Sequence, residues 1–505
     1  MFAETALLSV FSVSLQGFGL LLNIFLTRRL GAASVGALTL MGSFYGLAAV
    51  LSGGSGFIGA SRLMSEEIGC TGDPRRVFGY TLRFCMTLSC SAAVILCLIA
   101  PWLTGFVPDA APHTIRLLSL TLPVSALSAC CKGRCYAFHR VYVPAIAECI
   151  EFLLRAGTLA FCTVFLIPYG RLTVLDAFAF SMMTGQLAAT LFLAFARVPY
   201  PASGDCRLRF GQFLRLMLPI MGNACLVALL GSANDALVPL TLLQYGNSTE
   251  EALSQFGEFE AIILPTLFFP SVMQCCMSGL LVPELSQAKA SGDSEKIRRQ
   301  TQNVLEQTIS FSLFVALIIY TFGGEIGTLL GGNAFTGTVL RWMAPIIPCI
   351  YLEIIMEGVL RGLGKQNFSS VNYLAEYTVR ISVLLICVPL FGFYGIVASY
   401  MACNITGNSV RLLMVLRAAD LKPDWKQILL IPAGSLLLSW QTALLLRHLL
   451  SRLQVASLTG MILYVFWAGG MFLFVRGVLR RLFTDKTACK RTRTGHIRFG
   501  SEQQI

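Results

Sequence analysis

The sequence predicts an all-α polytopic membrane protein of about fourteen transmembrane helices, built as two parallel six-helix repeats followed by two further helices. Three observations predict it. The first is composition: the 505 residues are 55% hydrophobic and only 13% charged, with a mean hydropathy of +0.71, where a soluble chain carries about a quarter charged residues. The second is patterning. Apolar runs long enough to cross a bilayer recur from end to end, with short loops between them, and the short alternating segments of a closed barrel are absent. The third is internal repetition. Gly133 to Arg155 (GRCYAFHRVYVPAIAECIEFLLR) recurs 225 positions later as Gly358 to Arg380 (GVLRGLGKQNFSSVNYLAEYTVR), with Gly133 on Gly358, Arg140 on Lys365, Glu151 on Glu376 and Arg155 on Arg380. A second echo pairs Gly72-Asp73, Val77 and Thr81 with Gly292-Asp293, Ile297 and Thr301. Duplication inside so apolar a chain is a transporter signature.

In order, the spans fall near 4–27, 35–61, 79–104, 116–137, 143–168, 174–196, 211–240, 257–283, 302–323, 339–361, 369–389, 393–416, 427–447 and 456–480. The first follows Met1 with almost no charged flank, which reads as a retained helix rather than a cleaved signal. The copies lie six spans apart, an even number, so both halves face the same way. The expected divisions are a first lobe over 1–206, a second over 207–422, two extra helices over 423–483 and a basic tail over 484–505, expected to be disordered.

Orientation follows from the basic residues. With the N-terminus inside, 29 of the 38 Lys and Arg residues fall on inner loops, helix ends and the tail. Seven fall outside, and Arg155 and Arg380 lie within spans. This asymmetry puts both termini in the cytoplasm of a plasma membrane. It also explains the net charge of +12 through anionic inner-leaflet lipids, with no need for nucleic acid. The 17 cysteines mostly stand singly in apolar runs, as at Cys85, Cys97 and Cys387, and read as small packing residues rather than a disulfide or metal framework. No phosphate loop, nucleophile elbow or paired-carboxylate motif appears, and four scattered histidines make no metal site. An enzyme is not expected, nor a bound cofactor, and the chain is expected to be a monomer.

Two spans are broken at matching positions of the repeat. Span 2 holds Ser52-Gly53-Gly54-Ser55-Gly56, and span 8 holds Pro265, Pro270 and Pro283. Matching interruptions point to a transport site and to gating. Span 7, with Pro219, Gly231 and Pro239 around Asp235, is also expected to be interrupted.

Charges within spans need partners or a wet cavity. Glu151/Arg155 and Glu376/Arg380, each four residues apart, are expected to form ion pairs on one helix face. Arg28, Arg29 and Arg62 have no basic counterparts in the second copy, where Leu243, Gln244 and Val282 stand instead. The second copy carries Asp235, Glu258, Glu260 and Glu284. The three arginines suit a phosphate, which a guanidinium grips through paired hydrogen bonds. Asp235 and Glu260 are the candidates for a coupling cation, H+ or Na+.

The motifs IFLTRRLGAASVG, GASRLMSEEIG and LLVPELSQAKASGD, on spans set out as six, six and two, resemble the multidrug/oligosaccharidyl-lipid/polysaccharide (MOP) exporter superfamily over essentially the whole chain. The likeness is strongest to its sporulation and polysaccharide-biosynthesis branch, with MurJ-type lipid II flippases as cousins. That resemblance implies alternating access of two lobes. It also implies a head-group site built from arginines of helices 1, 2 and 8. Arg28, Arg29 and Arg62 stand in two of those helices, and Glu260 stands near the place of the third arginine. Drug-exporting relatives use carboxylates within the membrane, whereas Glu4 lies at the very start of span 1. The function expected is flipping of a polyprenyl-pyrophosphate-linked saccharide. Two alternatives stay open: a cation-coupled exporter of small molecules, and a non-transporting scaffold.

Overall fold

The structure, a computed structural model, describes residues 2–54, 56–69, 73–104, 110–138, 140, 142–196, 209–332, 334–423, 425–452 and 457–498. No strand occurs among the described residues. The helices are α1 (Phe2–Leu30), α2 (Ala32–Ala49, Val50–Gly54 and Gly56–Gly69), α3 (Pro74–Leu103) and α4 (Pro112–Ala137). They continue as α5 (Tyr142–Phe161 with Cys162–Leu166), α6 (Val174–Phe195) and α7 (Phe210–Tyr245). Next come α8 (Thr249–Glu258, Phe259–Ile263, Leu264–Phe268, Phe269–Ser271 and Val272–Ala290) and α9 (Ser294–Leu329). The rest are α10 (Ala334–Met343, Ala344–Ile346 and Ile347–Gly362), α11 (Gln366–Phe391), α12 (Phe393–Ala418), α13 (Lys426–Leu430 and Ile431–Arg452) and α14 (Ser457–Arg498). Eleven segments among the described residues are long and apolar enough to cross a membrane, as befits a multi-pass membrane protein.

Local chemistry explains why the repeat signals stand where they do. Asp73 caps α3, accepting from the Arg75 backbone N–H at 3.0 Å, with Pro74 in the first turn. Asp293 caps α9 in the same way, accepting from the Lys296 N–H at 2.9 Å. Behind each cap the apolar echo is buried: Val77 and Thr81 in the first copy, Ile297 and Thr301 in the second. Gly31 (φ 84°) and Gly246 (φ 111°) turn the chain after α1 and α7, a left-handed conformation that favours glycine.

Gly133 and Gly358 mark close helix crossings. A Cβ on Gly133 would come within 2.5 Å of the Phe57 carbonyl oxygen on α2, and one on Gly358 would overlap Ser278 on α8. In both copies the fourth helix of the repeat therefore rests its glycine on the broken second helix. Small residues also let α9 and α10 approach, where a Cβ on Gly337 would lie 2.5 Å from Gly324 Cα.

Two expectations are corrected. α7 runs unbroken over Phe210–Tyr245 with Pro219 and Pro239 inside it; prolines are tolerated in membrane helices because neighbouring groups take up the freed carbonyls. The basic tail continues α14 as helix to Arg498, with only 499–505 outside the described residues.

The chain divides into two compact units. Unit 1 holds Met1–Val272, Leu330–Gly332 and Ser370–Cys403; unit 2 holds Met273–Leu329, Asn333–Ser369 and Asn404–Ile505.

Candidate functional site

The break in α2 is a wide turn over Val50–Gly54, in which Gly53 takes φ 128°, a value that side chains other than hydrogen rarely permit. Gly54 lies in that turn, and Gly56 restarts the helix where a Cβ would meet Cys130 Sγ at 2.8 Å. In α8 the change of pitch is spread out. A wide turn over Phe259–Ile263 precedes Pro265, and a tight turn over Phe269–Ser271 holds Pro270. Pro283 lies inside the continuous segment Val272–Ala290.

The three arginines do not share one setting. Arg28 and Arg29 are exposed in the last turn of α1, with the Arg28 stem against Gly331. Arg62 lies on α2 and pairs with Glu66 one turn on, Nε to Oε1 2.9 Å, both side chains more than half exposed.

Asp235 and Glu260 belong to a polar cluster within unit 1. Ser43 on α2 donates to Asp235 Oδ2 at 2.6 Å, and Asn234 donates to Oδ1 at 3.1 Å. Arg380 on α11 lies 4.0 Å from Glu260 Oε1, with side chains 14% and 20% exposed, and its guanidinium stands over the Tyr400 ring at 5.1 Å. These acids are therefore not surface-solvated groups. The expected Glu376–Arg380 pair is not the one formed: Arg380 turns to Glu260, and Glu376 accepts from Asn372 at 2.8 Å.

The Glu151–Arg155 pair is likewise replaced. Glu151 takes Lys132 on α4 at 3.3 Å and accepts from Gln186 Nε2 on α6 at 2.7 Å. Arg155 lies over the Phe152 ring and reaches Met182 Sδ. A same-helix pair contributes only about 0.3–0.5 kcal/mol, so a partner presented from a packed neighbour displaces it. Lys132 also reaches Glu148 Oε1 at 3.5 Å. Beside these groups is a cavity of about 220 Å³, bounded on α2 by Phe57 and on α4 by Ser125, Ser128 and Tyr136.

The equivalent place in the second repeat is built otherwise. At the 225-residue offset, Ser128 becomes Glu353 and Lys132 becomes Glu357. Between them sits Arg411 of α12, with no exposed surface, 3.8 Å from Glu353 and 3.9 Å from Glu357, donating to Asn408 Oδ1 at 2.7 Å. Arg361 holds the other oxygen of Glu357 at 3.1 Å.

Sequence reasoning missed Ser43, Lys132, Gln186, Tyr400 and Arg411 as members of these clusters. One signal was available: Thr184-Gly185-Gln186 recurs as Thr406-Gly407-Asn408, which would have extended the repeat into the sixth helix of each copy.

No family model matches the chain. It is 22% identical over 400 residues to stage V sporulation protein B of Bacillus subtilis (strain 168), spanning 75% of this chain and 76% of that one. It superposes on a multidrug resistance MATE family transporter of the MOP superfamily in an inward-facing conformation. That match has a TM-score of 0.65 and 15% identity, over 80% of this chain and 94% of the other. The lipid II flippase MurJ, in an inward closed conformation, matches with a TM-score of 0.63 and 13% identity, over 95% and 100%. A MOP superfamily transporter from Pyrococcus furiosus matches with a TM-score of 0.58 and 15% identity, over 82% and 95%. The resemblance carried by the motifs is thus matched over most of the chain: this chain is similar to stage V sporulation protein B and has the fold of the MOP superfamily transporters.

Proposed function

We propose that this protein is a transporter that moves a polyprenyl-pyrophosphate-linked saccharide across the plasma membrane, its two repeats rocking to open a path to one side at a time. The observation that carries this reading is coverage. The lipid II flippase accounts for 95% of the chain and the multidrug transporter for 80%, so of these two the flippase match leaves less of the chain unaccounted for. The sequence likeness to stage V sporulation protein B agrees with it. Arg28, Arg29 and Arg62 are the head-group residues in this reading. They stand in the first repeat alone, and an asymmetric charge suits a ligand better than a structural role inherited by both copies.

The same reading gives Asp235 and Glu260 a different role from the cation-coupled alternative. Arg380 already brings a positive charge to Glu260, so a metal cation at that carboxylate would compete with a tethered guanidinium. The glycine breaks of α2 and the proline turns of α8 serve as bending points. Anionic lipids hold the basic inner face, and the chain works as a monomer without nucleic acid or enzymatic chemistry.

The test is flipping of defined lipid-linked saccharides by the protein reconstituted in proteoliposomes, with and without proton and sodium gradients. Transport of such a lipid is expected. Export of small molecules driven by a proton or sodium gradient, with no lipid flipping, would establish the alternative.

A further inference from the structure

Within unit 1, the first repeat carries a cavity, walled by apolar surface and edged by Lys132, Glu148 and Gln186, that the head-group arginines do not use. We propose that this cavity is a saccharide subsite: it takes one neutral, hydroxyl-rich sugar ring of the transported lipid. The inference rests on the flippase reading for the identity of the lipid, and on the cavity's own chemistry for the identity of the ligand.

Size comes first. A volume of about 220 Å³ holds several waters and is the scale of a single sugar ring. It is below the roughly 300–1,000 Å³ of pockets for drug-sized ligands.

Charge then narrows the class. Lys132 stands between Glu148 Oε1 at 3.5 Å and Glu151 Oε2 at 3.3 Å. An anion entering here would face two carboxylates, and the place of a cation between them is already taken by the Lys132 ammonium. A neutral molecule with several hydroxyls meets neither penalty. It can donate to the carboxylates and accept from the ammonium, which has three N–H groups.

Unused hydrogen-bonding capacity points the same way. Gln186 spends its amide N–H on Glu151 at 2.7 Å, while its Oε1 is buried without a protein partner. Ser128 Oγ is also buried and unpartnered. Buried polar atoms are normally paired; both residues line the cavity, and a rotamer change that turns either oxygen toward the open space would give it a hydroxyl partner. An apolar edge completes the site: Phe57 and Tyr136 meet edge to face with centroids 5.0 Å apart, a surface for the C–H face of a sugar ring. Phe57 is set there by the α2 restart after Gly56, on which Gly133 packs.

The second repeat supplies an internal control. Where the first has Ser128 and Lys132 beside open space, the second has Glu353 and Glu357 closed around Arg411. The cavity is therefore not a packing defect forced by the repeat's backbone.

The test uses the full-length protein in proteoliposomes with two probes, undecaprenyl pyrophosphate carrying N-acetylglucosamine and the same lipid without sugar. Gln186→Leu and the cavity-filling Ser125→Phe are compared with the wild type, each checked for a single folded species by size exclusion. The expected result is an at least tenfold loss of flipping for the sugar-bearing lipid, with movement of the sugar-free lipid unchanged. Equal loss for both probes, or no loss for either, overturns the subsite and leaves the flippase reading standing. If the wild type moves neither lipid, the flippase reading fails. Binding of free N-acetylglucosamine to detergent-solubilised protein, by saturation-transfer NMR, then decides the subsite alone. Signal lost in Gln186→Leu supports it, and no signal in the wild type overturns it.

Discussion

Where the C-terminal half of α4 meets the N-terminal half of α5, the first repeat sets Lys132 between Glu148 and Glu151 beside an open cavity. At the same places in the second, Glu353 and Glu357 flank a guanidinium with no exposed surface. Both copies keep the glycine that lets the fourth helix of the repeat lie on the second. They keep the amide residue too, Gln186 in one and Asn408 in the other. What differs is which charges stand around it. In the first copy the base comes from α4 and the flanking acids from α5, leaving room between helices. In the second the acids move to α10 and the base to α12, and the long Arg411 side chain fills the room. A duplicated backbone has thus been divided into a polar site and a charge-locked support, by exchanging acid and base between helices.

The largest effect that would break this comparison lies in the second repeat. Arg411→Met leaves Glu353 and Glu357 without their buried counter-charge. Removing one partner of a buried pair costs about 3–5 kcal/mol, so a large fall in the thermal unfolding midpoint is expected. Adding Glu353→Gln and Glu357→Gln to the same chain should restore most of it. An unchanged midpoint in the single variant would mean that the cluster is not a support.

Next in size is the head-group charge, present in the first repeat only. A hydrogen bond to a charged group contributes roughly 1.5–3 kcal/mol, so Arg62→Ala should lower flipping of a lipid-linked sugar about tenfold or more with normal expression. Arg62→Lys should rescue in part, since lysine keeps the charge and loses the fork. Glu260→Gln and Asp235→Asn should be mild. The reverse order of sensitivity would favour the cation-coupled exporter.

Smaller is the stability change expected for Lys132→Met. One partner, Glu148, is half exposed, and the other, Glu151, keeps the Gln186 amide as a donor when the ammonium is lost, so the cost should stay below that of emptying the fully buried Arg411 site. The midpoint should move little while flipping of the sugar-bearing lipid falls. A midpoint loss as large as that of Arg411→Met would make the two regions equivalent supports. The last prediction concerns orientation. In a background without reactive cysteines, Ser203→Cys and Ser294→Cys should label only from the cytoplasmic side and Ser248→Cys only from outside. Ser203 lies outside the described residues, so Ser294 and Ser248 tie the result to the caps of α9 and α8. Labelling of Ser294→Cys from outside would overturn both the orientation and the parallel repeat.

The sequence alone determined the class of molecule, the fourteen helices and the duplication. Each of these is written in residues that act locally. Apolar runs must match a bilayer's thickness, Asp73 and Asp293 cap the helices they precede, and Gly31 and Gly246 permit turns that other residues resist. It also carried Gly133 and Gly358, though their purpose as crossing points became plain only with Phe57 and Ser278 opposite them. Tertiary structure decided which charges meet. Spacing of four residues made Glu151 and Arg155 neighbours on one helix, yet it was silent about what other helices present. At Gly185 a Cβ would lie 2.7 Å from the Glu151 carbonyl oxygen; this close crossing of α5 and α6 gives Gln186 to Glu151. Pairing across helices depends on the depth and place of each crossing, which no single helix encodes. The partners of Glu151, Arg380 and Arg411, and with them the contrast between an open and a filled site, therefore belong to the folded molecule alone.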